Sequence, residues 1–461
     1  MEQLNDIFTT LSNALWGWPM IILLLGTHIY LTIRLRVPQR RVFTAIALSV
    51  KRDKGASGDV SQFGALATAL AATIGTGNIV GVATAVALGG PGAVLWCWLT
   101  GVFGMATKYA EGLLAIKYRV RTPDGRMVGG PMYALERGLH CKWLGVLFAI
   151  FTACAAFGIG NTVQANAIAT LASDTYGLSP IVTGLVVAVL AGLVVIGGVK
   201  SISRVCSAFV PIMALFYIIG CIYILIVNGA YFWPAIKLIV ASAFTPQAAG
   251  GGFVGSTVIM AARMGIARGL FSNESGMGSA PIVAAAAQTR NPVRQALVSS
   301  SGTFWDTVVI CALTGLVVVT SIMAYPDISS TDGAVLTQRA FGKIPVVGAP
   351  LLTFGLFTFT FSTIIGWSYY GERAVEYLGG IKWMLAYRIV YILAAFVGSI
   401  ASLSLVWNMA DCMNALMAIP NLISLLLLSG VIARETRTYL WGNRLHEASD
   451  EEATIEDKVE S

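Results

Sequence analysis

The sequence predicts an all-α polytopic membrane protein, and three observations support this fold class. Of the 461 residues, 56% are hydrophobic and only 11% are charged, whereas soluble proteins carry about 25% charged residues. Apolar runs long enough to cross a bilayer recur along the whole chain. Two of them, at 62–88 and 253–287, are each interrupted near the middle by glycines and small polar residues. Lipid tolerates such an interruption only where it lines a protein cavity, so each marks a candidate binding site.

Eleven stretches reach the length of about 20 apolar residues that a spanning helix needs. They lie at about 15–34, 62–88, 93–117, 143–171, 179–198, 205–227, 253–287, 296–323, 347–376, 383–405 and 409–432. The first follows an acidic start and precedes its basic residues, which favours a spanning helix over a cleavable signal peptide. The other ten form two sets of five, and the interrupted helices that open them cross in opposite directions. This pattern predicts a 5+5 inverted repeat after one extra N-terminal helix.

The predicted boundaries follow from the spans and their connections. We expect the extra helix and a cytoplasmic loop over 1–58, the first repeat over 59–230, an external loop over 231–250, the second repeat over 251–433 and a cytoplasmic tail over 434–461. The glycines at 250–252 suggest a hinge at the end of the external loop.

Lysine and arginine are concentrated in alternate connections. These connections lie at 34–54, 117–142, 200–204, 290–294, 373–388 and 434–458. The opposite connections contain only Lys237, Arg339 and Lys343. The positive-inside rule therefore predicts an N-terminus outside and a C-terminus in the cytoplasm, with the protein integral to the plasma (inner) membrane. The net charge of +7 is explained by this orientation and does not call for a nucleic-acid partner.

Several function classes lack their usual signals in this sequence. None of the seven cysteines forms a CxxC pair, and the three histidines show no metal-binding spacing. We find no nucleophile motif or phosphate-binding loop, and no repeated filter loop of the kind that channels use. An enzyme and a channel are therefore disfavoured. We expect the protein to need the lipid bilayer around it, but no organic cofactor and no obligatory protein partner.

The first interruption consists of Gly75, Thr76, Gly77 and Asn78. In the predicted orientation, the outer half-helix at 79–88 directs its N-terminal amides and positive dipole end at the cavity, where they suit a substrate carboxylate. The inner half-helix ends near Ala71 and Ile74, whose free carbonyl groups suit Na⁺. The alternative is a glycine groove used only for close helix packing.

The second interruption spans the seven residues from Ser272 to Gly278. Its outer half-helix ends at the cavity with carbonyl groups that suit a substrate ammonium group. We expect Asn273, Ser275 and Gly276 to line the same site. Glu274 is open to three interpretations: a structural ion pair with Arg263 or Arg268, a gating role, or direct contact with a ligand.

Polar side chains on other spans complete the candidate site. The adjacent hydroxyl groups of Ser362 and Thr363 could supply oxygen ligands for Na⁺, or could simply bond to carbonyls of their own helix. Trp367 lies one turn beyond Thr363 and could limit the pocket to small side chains, or could be a core aromatic residue. Gln164 shares a face with Asn161 and is the preferred substrate contact, although amides in lipid often only join helices.

Charged residues also occur inside predicted spans. Lys108 and Glu111 are spaced to pair along one helix. Asp306 could bind a second cation, transfer a proton or cap a polar network.

Five sequence blocks resemble the alanine or glycine:cation symporter family. They are GTGNIVGVATAVALGGPGAVLWCWLTGVFGMATKYAEGLLAIKYR at 75–119, GGPM at 129–132, GIGNTVQAN at 158–166, RGLFSNESGMGSAP at 268–281 and FSTIIGWSYYGE at 361–372. Only Cys97, where the family pattern would have methionine, departs from it. The resemblance covers nearly the whole chain and implies a leucine-transporter-type fold with one widely shared sodium site. Its ligands would be the carbonyl groups of Ala71, Ile74 and Phe359 and the hydroxyl groups of Ser362 and Thr363.

The resemblance also implies uptake of a small neutral amino acid, most simply alanine or glycine, together with Na⁺. Two alternatives stay open. One is a proton-coupled amino-acid symporter, although the implied sodium site has hydroxyl groups where an ionisable residue would be needed. The other is a Na⁺-coupled glutamine carrier, because the family includes alanine, glycine and glutamine carriers.

Overall fold

The chain is described by a computed structural model that covers residues 2–51, 53, 55–246, 253, 255–401, 404–449 and 454–455. The expected glycine hinge at 250–252 and most of the acidic tail after residue 449 lie outside the described residues. Within the described residues the fold is all-α apart from three two-residue strands, so the predicted fold class is confirmed.

Twenty-one α-helices occur within the described residues. They are α1 (Glu2–Leu15), α2 (Trp18–Arg34), α3 (Val42–Val50), α4 (Gln62–Thr73), α5 (Val82–Gly89), α6 (Ala93–Lys117), α7 (Pro131–Tyr133), α8 (Lys142–Phe157), α9 (Val163–Tyr176), α10 (Pro180–Val195), α11 (Gly198–Val227), α12 (Phe232–Phe244), α13 (Val258–Asn273), α14 (Pro281–Ala284), α15 (Pro292–Thr303), α16 (Ala312–Ala324), α17 (Gly333–Gly342), α18 (Gly348–Gly379), α19 (Met384–Ile400), α20 (Ser404–Leu427) and α21 (Ser429–Glu435). Strands β1 (Val120–Arg121), β2 (Met127–Val128) and β3 (Thr454–Ile455) form one sheet in the order β2-β1-β3.

Seven helical stretches of the described chain are long and apolar enough to cross a bilayer. They are Gln3–Arg34, Lys142–Tyr176, Gly198–Val227, Pro292–Ala324, Gly348–Gly379, Ile381–Ile400 and Asn408–Leu427. The first interrupted helix adds an eighth when its two parts, bent by 55°, count as one span. Helices also occupy the three remaining predicted spans, but α10 and α13 have only 16 residues each and α6 contains charged residues. The count of eleven therefore remains a prediction.

The predicted external loop at 231–250 contains a helix that the sequence analysis does not predict, because α12 occupies most of it. The segment FWPAIKLIVASAF contains good helix formers, and its proline lies in the first turn, where no amide bond is lost. Its buried residues Ala235, Ile239, Ser242 and Ala243 recur at helical spacing and form one face. This face packs against α6, α13 and α16.

The two interrupted helices lie at the centre of the bundle. Helix α4 packs against α11 and α18, and α13 packs against α5 and α6. Helix α6 also packs closely along α15, so it contacts parts of both predicted repeats. The interior contains large aromatic residues, including Trp367 and Tyr109, that are fully buried.

The basic connections meet at one face of the bundle, which we call the basic face. Ion pairs join them there: Asp53 with Arg290, Arg126 with Glu376, and Lys117 with Glu435. This grouping agrees with the predicted alternation of connections. The assignment of the basic face to the cytoplasm rests on the positive-inside rule and remains a prediction.

Candidate functional site

The first break separates α4 from the turn at Gly77–Gly81 that leads into α5. Helix α4 ends at Thr73, and Ile74 has an extended backbone conformation. The amide of Gly75 donates a 2.9 Å hydrogen bond to Oδ1 of Asn78, so this side chain satisfies a backbone group freed by the break. The predicted position of the break is confirmed.

The glycines of the first break allow close contact with two other elements. A Cβ atom on Gly75 would lie 2.6 Å from Oγ1 of Thr363, and one on Gly77 would lie 3.2 Å from Cα of Ser272. The first break therefore touches α18 on one side and the second break on the other. The close packing that the alternative interpretation predicts is present at both glycines, but packing alone does not account for the helical hydrogen bonds that are lost at the break.

Five oxygen atoms converge where α4 ends against α18. The Ser362 hydroxyl donates to the carbonyl oxygen of Ala71 at 3.1 Å and to that of Phe359 at 2.8 Å. The Thr363 hydroxyl donates to the carbonyl oxygen of Ile74 at 3.3 Å and to that of Phe359 at 3.0 Å. These are the five residues that the family resemblance implies as sodium ligands. Their oxygen atoms form a compact, buried set of the hard ligands that alkali cations require.

Gln164 lies beside the first break. Its Nε2 donates to the carbonyl oxygen of Ile159 at 3.0 Å and to Oγ1 of Thr76 at 3.4 Å. Its Oε1 has no hydrogen-bond partner among the described residues and lies 3.4 Å from the position of a Cβ on Gly75. Asn161, in contrast, donates to the carbonyl oxygen of Tyr391 at 2.6 Å and so joins two helices. Of the two amides on this face, only Gln164 reaches the break.

A cavity of about 190 Å³ reaches the first break from the side opposite the basic face. Thr76 and Val80 form its end at the break, and Thr337 of α17 lies in its wall. The cavity could therefore connect the break with that side of the bundle.

The second break follows α13, where Glu274 has a left-handed backbone conformation (φ 52°) and Gly276 and Gly278 have φ values of 90° and 85°. Oδ1 of Asn273 accepts a 2.9 Å bond from the Ser275 amide, whereas Nδ2 of Asn273 has no partner in the described part of the chain. The predicted interruption is confirmed, and in the described residues between it and α15 only the single turn of α14 is helical.

Glu111 of α6 holds the second break in place. Its Oε1 accepts 3.0 Å hydrogen bonds from the amides of both Gly276 and Gly278 and a 2.8 Å bond from Nδ2 of Asn421. The same Asn421 nitrogen donates to the Gly276 carbonyl at 2.8 Å. The amide of Gly276 and one of the two acceptor positions of its carbonyl group are therefore occupied, and the expected contact between Gly276 and a substrate stays a prediction.

This role of Glu111 is not predicted from the sequence. The spacing of the two residues predicts only the pairing with Lys108, which is present at 3.7 Å between Nζ and Oε2. A charged residue inside a span is costly and needs several partners, and this could have directed attention to an interrupted helix as the source of free amides. Asn421 had no comparable signal in the sequence.

Of the three interpretations of Glu274, the ion pair with Arg263 or Arg268 is not formed among the described residues. Oε1 of Glu274 accepts a 3.1 Å bond from the Trp367 indole, and Oε2 accepts one from the Ser279 hydroxyl. Glu274 has a left-handed backbone conformation and ends α13, so its side chain does not continue the helix that carries those arginines. Trp367 is fully buried and is placed by this bond beside the second break.

Asp306 joins both breaks through its carboxylate. Oδ1 accepts a 2.7 Å bond from Nδ2 of Asn78, while Oδ2 accepts bonds from the hydroxyl groups of Ser272 at 3.1 Å and Thr307 at 2.6 Å. Of the three predicted roles, capping a polar network matches these contacts directly. No cluster of three or more His, Cys, Asp or Glu side chains suited to a metal occurs among the described residues.

The comparisons with known proteins agree with this geometry. The family model for the sodium:alanine symporter family matches residues 1–453. The chain is 50% identical over 442 residues to the sodium/alanine symporter AgcS of Methanococcus maripaludis, covering 94% of this chain and 97% of the relative. It is 35% identical over 446 residues to the "Probable sodium/glutamine symporter GlnT" of Bacillus subtilis, covering 95% and 91%.

A crystal structure of MhsT in complex with L-phenylalanine has a similar fold. The TM-score is 0.52 at 13% sequence identity, with 83% of this chain and 99% of that chain covered. At this identity the likeness concerns the fold alone, and it supports the leucine-transporter-type 5+5 architecture. The match of the family model over nearly the whole chain shows that this protein is a membrane transporter that belongs to the sodium:alanine symporter family.

Proposed function

We propose that the protein takes up a small neutral amino acid, alanine or glycine, by symport with Na⁺. The observation that supports this most directly is the set of five oxygen atoms between α4 and α18. Two of them belong to the last residues before the first break, Ala71 and Ile74. An ion bound there would hold the break in the shape that receives the substrate.

Sodium binding requires a local change in hydrogen bonding. The hydroxyl groups of Ser362 and Thr363 now donate to the carbonyl groups that would be their fellow ligands. A bound Na⁺ would take the carbonyl and hydroxyl oxygen atoms together, and the hydroxyl hydrogens would turn away from it. The cation would thereby replace hydrogen bonds that now join α4 to α18.

The amino acid would bind between the two breaks. The turn at Gly75–Asn78 would present its amide end to the carboxylate, as the positive end of α5 favours. The unpartnered Oε1 of Gln164 and the carbonyl end of α13 offer acceptors for the ammonium group. Asn273, Ser275 and Thr363 would line the remaining space, and Trp367 would limit the size of the side chain.

Coupling then follows from the shared break. Na⁺ at Ala71 and Ile74 and a carboxylate at Thr76 and Gly77 both stabilise one conformation of the same short segment. Each ligand raises the affinity for the other, and the two effects must be equal. Concentrative uptake is the expected result when Na⁺ is higher outside.

Uptake of radiolabelled alanine into proteoliposomes tests the proposal. We expect accumulation with an inward Na⁺ gradient and none with an equal K⁺ gradient at constant pH. Accumulation driven by a pH gradient without Na⁺ would instead establish proton coupling. Asp306→Asn should abolish that activity if its carboxylate transferred the proton.

Glutamine is the second candidate substrate, because a relative at 35% identity is named "Probable sodium/glutamine symporter GlnT". Competition of labelled alanine uptake by unlabelled glycine and glutamine separates the two possibilities. We expect glycine to compete at concentrations similar to those of alanine and glutamine to compete poorly.

A further inference from the structure

The two interrupted helices are joined by backbone hydrogen bonds at the basic face. The amides of Asp59 and Val60, just before α4, donate to the carbonyl oxygen of Ala286 at 2.8 and 3.1 Å. The amide of Gln288 donates back to the carbonyl oxygen of Val60 at 2.8 Å. These bonds pair a segment that precedes the first broken helix with one that follows the second. We call the pairing the basic-face bridge.

One arginine spans this bridge. The Arg119 guanidinium donates to the carbonyl oxygen of Ser57 at 3.2 Å on one segment. On the other it donates to the carbonyl oxygens of Ala287 at 2.9 Å and Ala285 at 3.3 Å. Arg119 follows the end of α6 and is only 9% exposed. A planar guanidinium with several fixed donors suits this task, whereas an ammonium group could not reach both segments in the same way.

The charge on Arg119 persists in this position. Burial lowers the pKa of Arg119 to about 10, and the nearby Asp59 carboxylate opposes that shift. Arg119 is therefore protonated at neutral pH and keeps all its donors.

Glycines allow the bridge to close. A Cβ atom on Gly58 would lie 2.4 Å from the backbone nitrogen of Gln288. A Cβ on Gly129 would lie 2.7 Å from the Ala285 side chain, and one on Gly130, where φ is 121°, would lie 3.0 Å from Ile282. The GGPM block at 129–132 thus packs against the short helix α14 beyond the second break. Its glycines permit this packing.

We propose that Arg119 is the latch of a gate at the basic face. It holds the ends of the two broken helices together while the site is closed on this side, and it must release one segment before the substrate can leave. The inference rests on the proposed transport function, because only a transporter needs this face to open. It adds a positioning residue that lies far from the substrate and ion ligands.

A small cavity supports the location of the gate. It has a volume of about 20 Å³ and is lined by Ala65, Ala69 and Thr73 of α4 together with Asn273 at the second break. It therefore lies between the central site and the bridge. Parting of the bridge would open this space toward the basic face.

Hydrogen–deuterium exchange of the purified full-length protein in nanodiscs tests the latch. We expect Arg119→Gln to speed exchange at the amides of Asp59, Val60 and Gln288 by at least tenfold. The amides of Gly276 and Gly278, which Glu111 holds, should exchange as before. Arg121→Gln is the matched control, since it removes the same charge from an exposed residue two positions along the chain. It should leave the exchange rates of both sets of amides unchanged.

Side-specific labelling gives the second measurement. Ala69→Cys in a background without the seven native cysteines places a thiol in the small cavity. An impermeant maleimide should label it faster with Arg119→Gln than with Arg121→Gln when added to inside-out vesicles, and at equal rates when added to right-side-out vesicles. The latch would be overturned if the two variants were labelled at equal rates in both vesicle orientations. It would also be overturned if Arg119→Gln sped hydrogen exchange throughout the protein.

These results are independent of the ion and the substrate. If alanine uptake is Na⁺-driven but Arg119→Gln changes neither amide exchange at the basic-face bridge nor maleimide labelling, the latch is wrong and the proposed function stands. If the bridge opens as described but no alanine, glycine or glutamine is accumulated, the proposed function is wrong instead.

Discussion

The Thr363 hydroxyl donates a 3.3 Å hydrogen bond to the carbonyl oxygen of Ile74, the residue that follows the last turn of α4. This contact joins a continuous helix, α18, to the point at which the first interrupted helix loses its regular bonds. A side chain so placed can report on the conformation of the break as well as on any ion bound beside it.

Thr363→Ala should weaken the response to Na⁺. The change removes one of five oxygen atoms from the proposed ion site, and one hydrogen bond or ligand contributes about 1–1.5 kcal/mol. The Na⁺ concentration for half-maximal alanine uptake should therefore rise roughly tenfold. Thr363→Ser, which keeps the hydroxyl group, should stay close to the parent protein. An unchanged Na⁺ response in the alanine variant would remove Thr363 from the ion site.

Gly75→Ala should abolish uptake without preventing membrane insertion. The new methyl group would lie 2.6 Å from Oγ1 of Thr363, closer than such atoms approach without movement of one element. Gly81→Ala is the matched control, because its nearest neighbour would be 3.9 Å away. Uptake and membrane-fraction yield of both variants check this. Normal uptake by Gly75→Ala would show that the first break tolerates displacement from α18.

Glu111→Leu should destabilise the protein and abolish uptake together. It leaves the buried amides of Gly276 and Gly278 without their acceptor, and each unsatisfied buried donor costs about 1–3 kcal/mol. Glu111→Gln keeps an acceptor oxygen and should retain part of the stability. Thermal unfolding in detergent and proteoliposome uptake measure the two effects.

The control for this prediction is Glu136→Gln at the basic face, where the carboxylate accepts a bond from Tyr377 outside the bundle centre. It should leave uptake unchanged. Equal behaviour of Glu111→Leu and the parent protein would show that the second break keeps its shape without α6.

Substitutions of Trp367 should separate its two contacts. Trp367→Phe removes the bond to Glu274 but keeps an aromatic ring, so we expect a stability loss of about 1–3 kcal/mol and unchanged substrate preference. Trp367→Ala also removes the bulk and should admit larger amino acids. Competition by leucine and phenylalanine against labelled alanine measures the preference. If the alanine variant keeps the parent specificity, Trp367 does not bound the pocket.

The features of this molecule that could be predicted are those that depend on residues close together in the sequence. Both breaks could be located because glycine and small polar residues interrupt apolar runs, and a lost helix bond is a local event. The partners of the breaks are different: Glu111 lies 165 residues before Gly276, and Asn421 lies 145 residues after it. Nothing in the spacing of one sequence brings such residues together, and only the resemblance to a known family placed Phe359 beside Ala71 and Ile74.

Two features lie beyond what the sequence predicts, for different physical reasons. The segment at 232–244 forms a helix inside the predicted external loop, because its buried residues recur at helical spacing and pack along the bundle. Glu274 turns away from the arginines of α13 because its left-handed backbone conformation ends that helix, and in the sequence only the glycines that follow indicate such a turn.

Lys108 and Glu111 also bear on how the chain enters the membrane during synthesis. Helix α6 is synthesised well before Gly276, Gly278 and Asn421. The Glu111 carboxylate is therefore without these hydrogen-bond donors when α6 enters the membrane. A lysine or an acidic residue at the centre of an inserting helix costs about 2.5–3.5 kcal/mol. Their spacing of three residues places the two side chains on one face, so the helix can insert as an internally neutralised unit. The Glu111 carboxylate can bind the amides of the second break only after the second repeat has been synthesised and inserted. The two repeats are therefore expected to assemble in a fixed order.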